Sequence, residues 1–149
     1  MKVVVIGSGG REHSIVWKLS LDDRVKKIYT FTDNSGIVAL STYSEPLSNF
    51  KIIINKILDI NPDIVIVGPE EPLSKGITNI LNKNNIKVFG PTKEAARIES
   101  SKIFSKKLML NNKIPTAYAE FFSDFDKAKE YSENKGFQNI VIKADGLSA

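Results

Sequence analysis

VVVIGSGGREH, residues 3–13, starts as an unbroken apolar run, passes through Gly7, Gly9 and Gly10, and ends in Arg-Glu-His. Apolar residues without alternation are what a parallel strand covered on both faces requires. Residues 12–20 then carry Ile15, Val16, Trp17 and Leu19, which suits a helix packed back on that strand. A glycine turn at a helix N-terminus offers free main-chain N–H groups and the positive end of the dipole to an anion. A tight turn with no ligand explains the same residues. The dinucleotide fingerprint G-x-G-x-x-G fails, because position 12 is Glu12, and no P-loop is present.

The neighbours of the glycines are open to two readings each. Arg11 can grip a phosphate bidentately or pair at the surface with a carboxylate. Glu12 is favoured by the macrodipole at a helix start and needs no further role. His13, the single histidine, reads as a packed or capping residue rather than a catalytic one.

Outward from this stretch, strands and helices alternate. VKKIYTF (25–31) reads as a second strand. Phe50, Ile53, Ile54, Ile57 and Ile60 have helical spacing, PDIVIVG (62–68) is a third strand, and Leu73, Ile77, Ile80 and Leu81 predict another helix. IKVFGP (86–91) is a fourth strand. Such alternation predicts an α/β fold, a Rossmann-like parallel sheet with right-handed crossovers over residues 1–92. In VGPEEPL, Glu70 and Glu71 fall at the carboxyl end of a strand, in a loop fixed by prolines. A carboxylate there suits a ligand amine or a ribose hydroxyl pair; two solvated loop glutamates fit equally.

Residues 93–114 read as a connecting helical segment with a break or cap at Ser100-Ser101. A helix is expected over 123–135, and NIVIKADG (139–146) as a strand running into a loop, so that residues 115–149 open a second, truncated domain. Lys143 lies in that apolar strand, where burial is costly unless it meets an anion; a solvent-facing edge lysine is the plain alternative. Lys102 sits at a helix start, where the dipole disfavours a cation, an anomaly that a bound anion would resolve.

Composition sets the outer bounds. Hydrophobic residues at 42% and charged ones at 26% give a soluble globular balance. The net charge of +4, from 21 basic and 17 acidic residues, is too small and interspersed for a nucleic-acid binder. No apolar run approaches the roughly 20 residues of a membrane span, no secretory signal is expected, and the absence of cysteine fits a reducing cytoplasm.

Five stretches in order, VVVIGSGGREHSIVWKL, DIVIVGPEEPLSKGI, VFGPTKEAARIESSKIFSKKLM, KIPTAYAEF and VIKADGLSA, resemble the phosphoribosylamine–glycine ligase (glycinamide ribonucleotide synthetase) family of the ATP-grasp superfamily. The resemblance implies the N-terminal substrate domain of a ligase in purine biosynthesis, followed by the start of an ATP clamp, with the fragment inactive alone. It implies glycine, 5-phosphoribosylamine and ATP as small-molecule substrates, no nucleic-acid or membrane partner, and a monomer as the simplest assembly. It also implies Mg²⁺ (or Mn²⁺), with its ligands outside this segment. Gly9, Gly10, Arg11 and Glu70 match the family's phosphoribosylamine-side residues. Lys102 and Lys143 match the two lysines that hold nucleotide phosphates, and no catalytic residue is assigned. Two departures stand out: TDNSG carries Thr32 and Asp33 where the family has Pro and Gly, and Ser8 replaces Asn. The alternatives are another ATP-grasp enzyme of the purine pathway, such as a carboxylase or formyltransferase relative, and a non-catalytic nucleotide-binding module.

Overall fold

In a computed structural model of the chain, which describes residues 1–147, five strands form one parallel sheet. They are β1 (Lys2–Ile6), β2 (Lys27–Phe31), β3 (Tyr43–Glu45), β4 (Ile64–Val67) and β5 (Val88–Phe89), in the order β3-β2-β1-β4-β5. The uniform hydrophobicity of β1 follows from its central place. Val3 and Val5 point to one face, packing with Val16 of α1 (Gly10–Ser20) and Ile37 of α2 (Ser35–Leu40). Val4 and Ile6 point to the other, against Ile53 and Ile57 of α3 (Phe50–Ile60) and Ile77 and Leu81 of α5 (Ile77–Lys83). Successive side chains of a strand alternate between faces, so a strand buried on both must be apolar throughout.

The helix foreseen across Leu73 to Leu81 is two. α4 (Glu70–Ser74) ends before Gly76, whose φ of 87° is a left-handed conformation that breaks the run, and α5 starts beyond it. α2 and β3 were not foreseen. Both are short, and β3 is an edge strand whose three residues, Tyr43, Ser44 and Glu45, carry no apolar pattern.

By contacts the chain divides into Met1–Ala96 and Arg97–Ala149. α6 (Lys93–Ser100) runs across the division, and α7 (Lys102–Asn111) and α8 (Phe125–Lys135) belong to the second unit. Ser101 separates α6 from α7 as the expected cap, its hydroxyl accepting from the Phe104 N–H at 3.1 Å. The strand expected over 139–146 does not form. After a 3₁₀ turn at Phe137–Asn139 the backbone makes no ladder, and Val141 and Ile142 are 81% and 74% exposed. Strands are stabilised by cross-strand neighbours, and the second unit has no other strand among the described residues. Ser148 and Ala149, which close the expected 115–149 segment, lie outside the described residues.

Candidate functional site

After β3 the chain crosses back to place β4 on the other side of β1, so the strand order reverses between β1 and β4. Ligands of doubly wound sheets bind in the crevice that opens there, beyond the carboxyl ends of the strands. Here the crevice is edged by Gly7–Gly10 after β1 and by Gly68–Glu70 after β4. The Gly7 N–H still bonds Phe31 O and the Gly68 N–H still bonds Ile6 O, both at 3.1 Å, so both loops leave from ordered backbone.

The crevice floor is occupied by Glu12, only 3% exposed. Its Oε2 accepts from the Gly9 N–H at 2.8 Å, and its Oε1 accepts from Arg11 Nε at 2.8 Å. Gly9 is the N-cap of α1 and Glu12 its third residue, so the first bond is the return half of a capping box. At three of the glycines around it a Cβ would meet this side chain, and Gly7 also has a φ of 126° that favours glycine by itself. A Cβ on Gly7 would lie 2.8 Å from Glu12 Cγ, one on Gly9 2.7 Å from Oε2, and one on Gly68 would collide with Oε1. Of the glycines edging the crevice, Gly10 faces open space. The sequence assigned Glu12 nothing beyond the dipole and gave Gly9 a free N–H; the structure commits that N–H to Glu12.

Arg11 is fixed from three sides. Besides Glu12, its Nη2 donates to Gly68 O and lies 3.4 Å from Glu70 Oε1. The Glu12 bond, ahead of the Glu70 contact, holds the guanidinium above its ordinary value. Glu70 and Glu71 open α4 rather than sit in a loop, which suits the helix dipole. Their side chains part company: Glu71 pairs with Lys75 at 2.6 Å in solvent, and only Glu70 meets Arg11.

A second clasp joins the β1–α1 loop to the β2–α2 loop. Ser8 Oγ accepts from Thr32 Oγ1 at 3.0 Å and from the Asp33 N–H at 2.9 Å, and Ser8 O accepts from Asn34 Nδ2 at 3.0 Å. The same Asn34 caps α2, its Oδ1 accepting from the Gly36 N–H at 2.9 Å. His13 packs on this turn, where a Cβ on Gly36 would lie 3.1 Å from His13 Cε1. Asp33 is exposed and lines a shallow depression of about 390 Å³ with Thr32, Ser35 and Glu45.

In the second unit, the loop after Lys143 folds against the start of α7. Asp145 Oδ1 accepts from the Ile103 N–H at 3.2 Å, its Oδ2 is 3.1 Å from Ser101 Oγ, and Lys102 Nζ donates to Gly146 O at 2.6 Å. The anion that the helix start invites is therefore Asp145. The Ile103 N–H is the largest of the bonds that hold this carboxyl below the usual range. Lys143 is exposed and makes no hydrogen bond or ion pair among the described residues, so the burial argument for it does not hold. Among the described residues no three of His, Asp and Glu gather in a way that would hold a metal ion, and no helix is long and apolar enough to cross a membrane.

Residues 1–99 match the family model for the phosphoribosylglycinamide synthetase N domain, and residues 100–149 match that for its ATP-grasp (A) domain. The chain belongs to the phosphoribosylglycinamide synthetase family. It is 41% identical to the phosphoribosylamine–glycine ligase of Pseudomonas putida, covering 100% of this chain and 35% of that protein. With the ligase of Halalkalibacterium halodurans the identity is 43% over the same shares. The crystal structure of phosphoribosylamine–glycine ligase from Thermotoga maritima superposes with a TM-score of 0.64 at 28% identity, over 99% of this chain and 34% of that one. The synthetase-family chain thus spans about a third of the length of the curated relatives it matches.

Glu12, Ser8 and Asn34 are residues whose part in holding the two loops the sequence reading did not assign. One signal existed for each loop: Glu12 stands three residues after Gly9, the spacing of a capping box, and Asn34 precedes a short helix as a good cap.

Proposed function

We propose that the protein to which these residues belong joins glycine to 5-phosphoribosylamine, converting ATP to ADP and phosphate and yielding glycinamide ribonucleotide for purine synthesis. The observation that carries this reading is the β1–β4 crevice, where the Arg11 guanidinium is held at the mouth between Glu12 and Glu70 while the turn at Gly10 stays open. The sugar phosphate lies against the Gly10 end of α1 and the outer edge of Arg11, with Gly9 shaping the turn. The second oxygen of Glu70, which has no protein partner among the described residues, faces the amine or the ribose hydroxyls.

A carboxylate is a poor electrophile because its oxide will not leave. Phosphoryl transfer from ATP to the glycine carboxylate gives glycyl phosphate and ADP. The phosphoribosylamine nitrogen then attacks the carbonyl, forming the C–N bond as the C–O bond to phosphate breaks and the amine gives up a proton. Such transfer depends on positioning and charge neutralisation more than on a protein nucleophile. Lys102 and Lys143 are directed to the nucleotide phosphates, Lys102 exchanging its Gly146 carbonyl for a phosphate oxygen. Mg²⁺ or Mn²⁺ would neutralise phosphate charge, with its ligands expected from elsewhere in the complete protein. The division after Ala96 supports a reading in which residues 1–92 are the substrate domain, 93–114 the connection and 115–149 the opening of the nucleotide clamp. The same reading puts the protein in the cytoplasm, as a monomer.

The test is ADP release by the complete protein. It should require both glycine and phosphoribosylamine, with bicarbonate or formate unable to replace glycine. ADP release driven by bicarbonate instead would overturn the reading.

A further inference from the structure

We propose that Glu12 is a positioning residue for the sugar phosphate: its buried carboxylate aims Arg11 and shapes the glycine turn without touching the ligand. The inference rests on the function proposed above.

An ionised carboxylate removed from water is destabilising unless each oxygen finds a donor. Glu12 meets that condition in full, one oxygen on the Gly9 N–H and the other on Arg11 Nε. Space is cleared for it on both sides of the crevice, by Gly7 and Gly9 after β1 and by Gly68 after β4. A side chain needed only to fill that space could be a leucine or methionine, with no desolvation to offset. What an apolar side chain cannot do is hold a guanidinium.

The effect on Arg11 is directional. Its Nε is taken by Glu12 and its Nη2 by Gly68 O and Glu70. The planar fork then leaves the Nη1 hydrogens as the donors without a protein partner among the described residues, in one fixed direction. An arginine this exposed, at 59% of its side chain, would otherwise sample many rotamers. Glu12 occupies position 12, where a dinucleotide fold keeps a glycine. Its negative charge would repel an approaching phosphate if bare, and the Gly9 N–H and Arg11 neutralise it. The ligand therefore meets the open Gly10 turn and the Nη1 edge.

The experiment compares four forms of the complete enzyme: wild type, Glu12→Gln, Arg11→Met and the double variant. Each is assayed for kcat, for KM toward phosphoribosylamine and toward ATP, and for its thermal transition. In Glu12→Gln the amide oxygen serves one of the two donors and its NH₂ faces the other. KM for phosphoribosylamine should rise on the order of tenfold, the size of one coupled charge pair, with KM for ATP unchanged. The same substitution should raise the phosphoribosylamine KM by clearly less once Arg11→Met is present, because only the Gly9 turn is then left for Glu12 to shape. An unchanged phosphoribosylamine KM, or an equal rise in both backgrounds, overturns the proposal. If Glu12→Gln does not fold, Arg11→Lys tests the same point with Glu12 intact. Lysine keeps the charge but lacks the planar fork that Glu12 orients, so wild-type KM in that variant is equally fatal. Wild-type enzyme that turns over without glycine or phosphoribosylamine sinks the functional reading instead. In that case titration of wild type and Glu12→Gln with ribose 5-phosphate still decides the role of Glu12: about tenfold weaker binding by the variant supports it, and equal binding refutes it.

Discussion

Replacing Gly68 by alanine adds one methyl group, and the structure says where it goes. The three atoms nearest that Cβ all belong to Glu12, and the closest, Oε1, is well inside contact distance. Gly68 is not among the glycines with positive φ, so alanine's backbone preferences are met and the collision is the whole effect. Glu12 must then swing away from Gly9 and Arg11, losing two hydrogen bonds to an ionised group. Such bonds contribute about 1.5–3 kcal/mol each; the one to Arg11 belongs at or below the bottom of that range, because the guanidinium is more than half exposed. The expected loss is about 2–4 kcal/mol. With a urea m-value of roughly 2 kcal/mol/M, the midpoint falls by roughly 1–2 M. The decisive comparison is the same substitution in a Glu12→Ala background, where the obstacle is gone and Gly68→Ala should shift the midpoint by less than about 0.3 M, the scatter of additive sites. Equal losses in both backgrounds would show that Gly68 is glycine for some other reason.

Three other outcomes follow from separate parts of the fold. Ile57→Ala, which empties a fully buried position under the sheet, should cost about 2–5 kcal/mol by urea titration. Asp145 has a lowered pKa in the folded state, so its stabilising contribution is present above the unfolded value near 3.8 and is lost as pH falls through the folded one. Thermal melts of wild type and Asp145→Asn should therefore differ at pH 7 and converge in strong acid; a constant gap would refute the capping role. Hydrogen bonding to Glu120 pushes the Tyr118 hydroxyl up to about 12, so ultraviolet titration should place one phenol there, and Glu120→Gln should bring it back toward 10.

How much of this was legible in advance depended on how local each cause is. Val3–Ile6 and the Ile53–Ile57 spacing declare a two-faced parallel sheet because burial of each residue is set by strand or helix period alone. α2 and β3 carry too few residues for a period to register, and the Gly76 break needs one residue's φ rather than a pattern. Residues 139–146 have strand composition, but a strand also needs a neighbour, which no single stretch encodes. At the site, Arg11 and Glu70 could be named from strand ends. Capping-box spacing could have marked the bond from Glu12 to Gly9, but not its burial, which depends on Gly68, 56 positions away in sequence and adjacent only once β4 lies beside β1.

Asn34 uses both ends of its amide, the oxygen on the α2 N-terminus and the nitrogen on Ser8 O. The two jobs are separable by isosteric exchange: aspartate would keep the helix start and lose the tether. With asparagine in place, the loops after β1 and β2 are fastened as one frame before any substrate arrives. A socket assembled in advance costs its guest little ordering entropy, so on the function proposed above, recognition at this rim is expected to resemble a key in a rigid lock more than a hand closing on a ball.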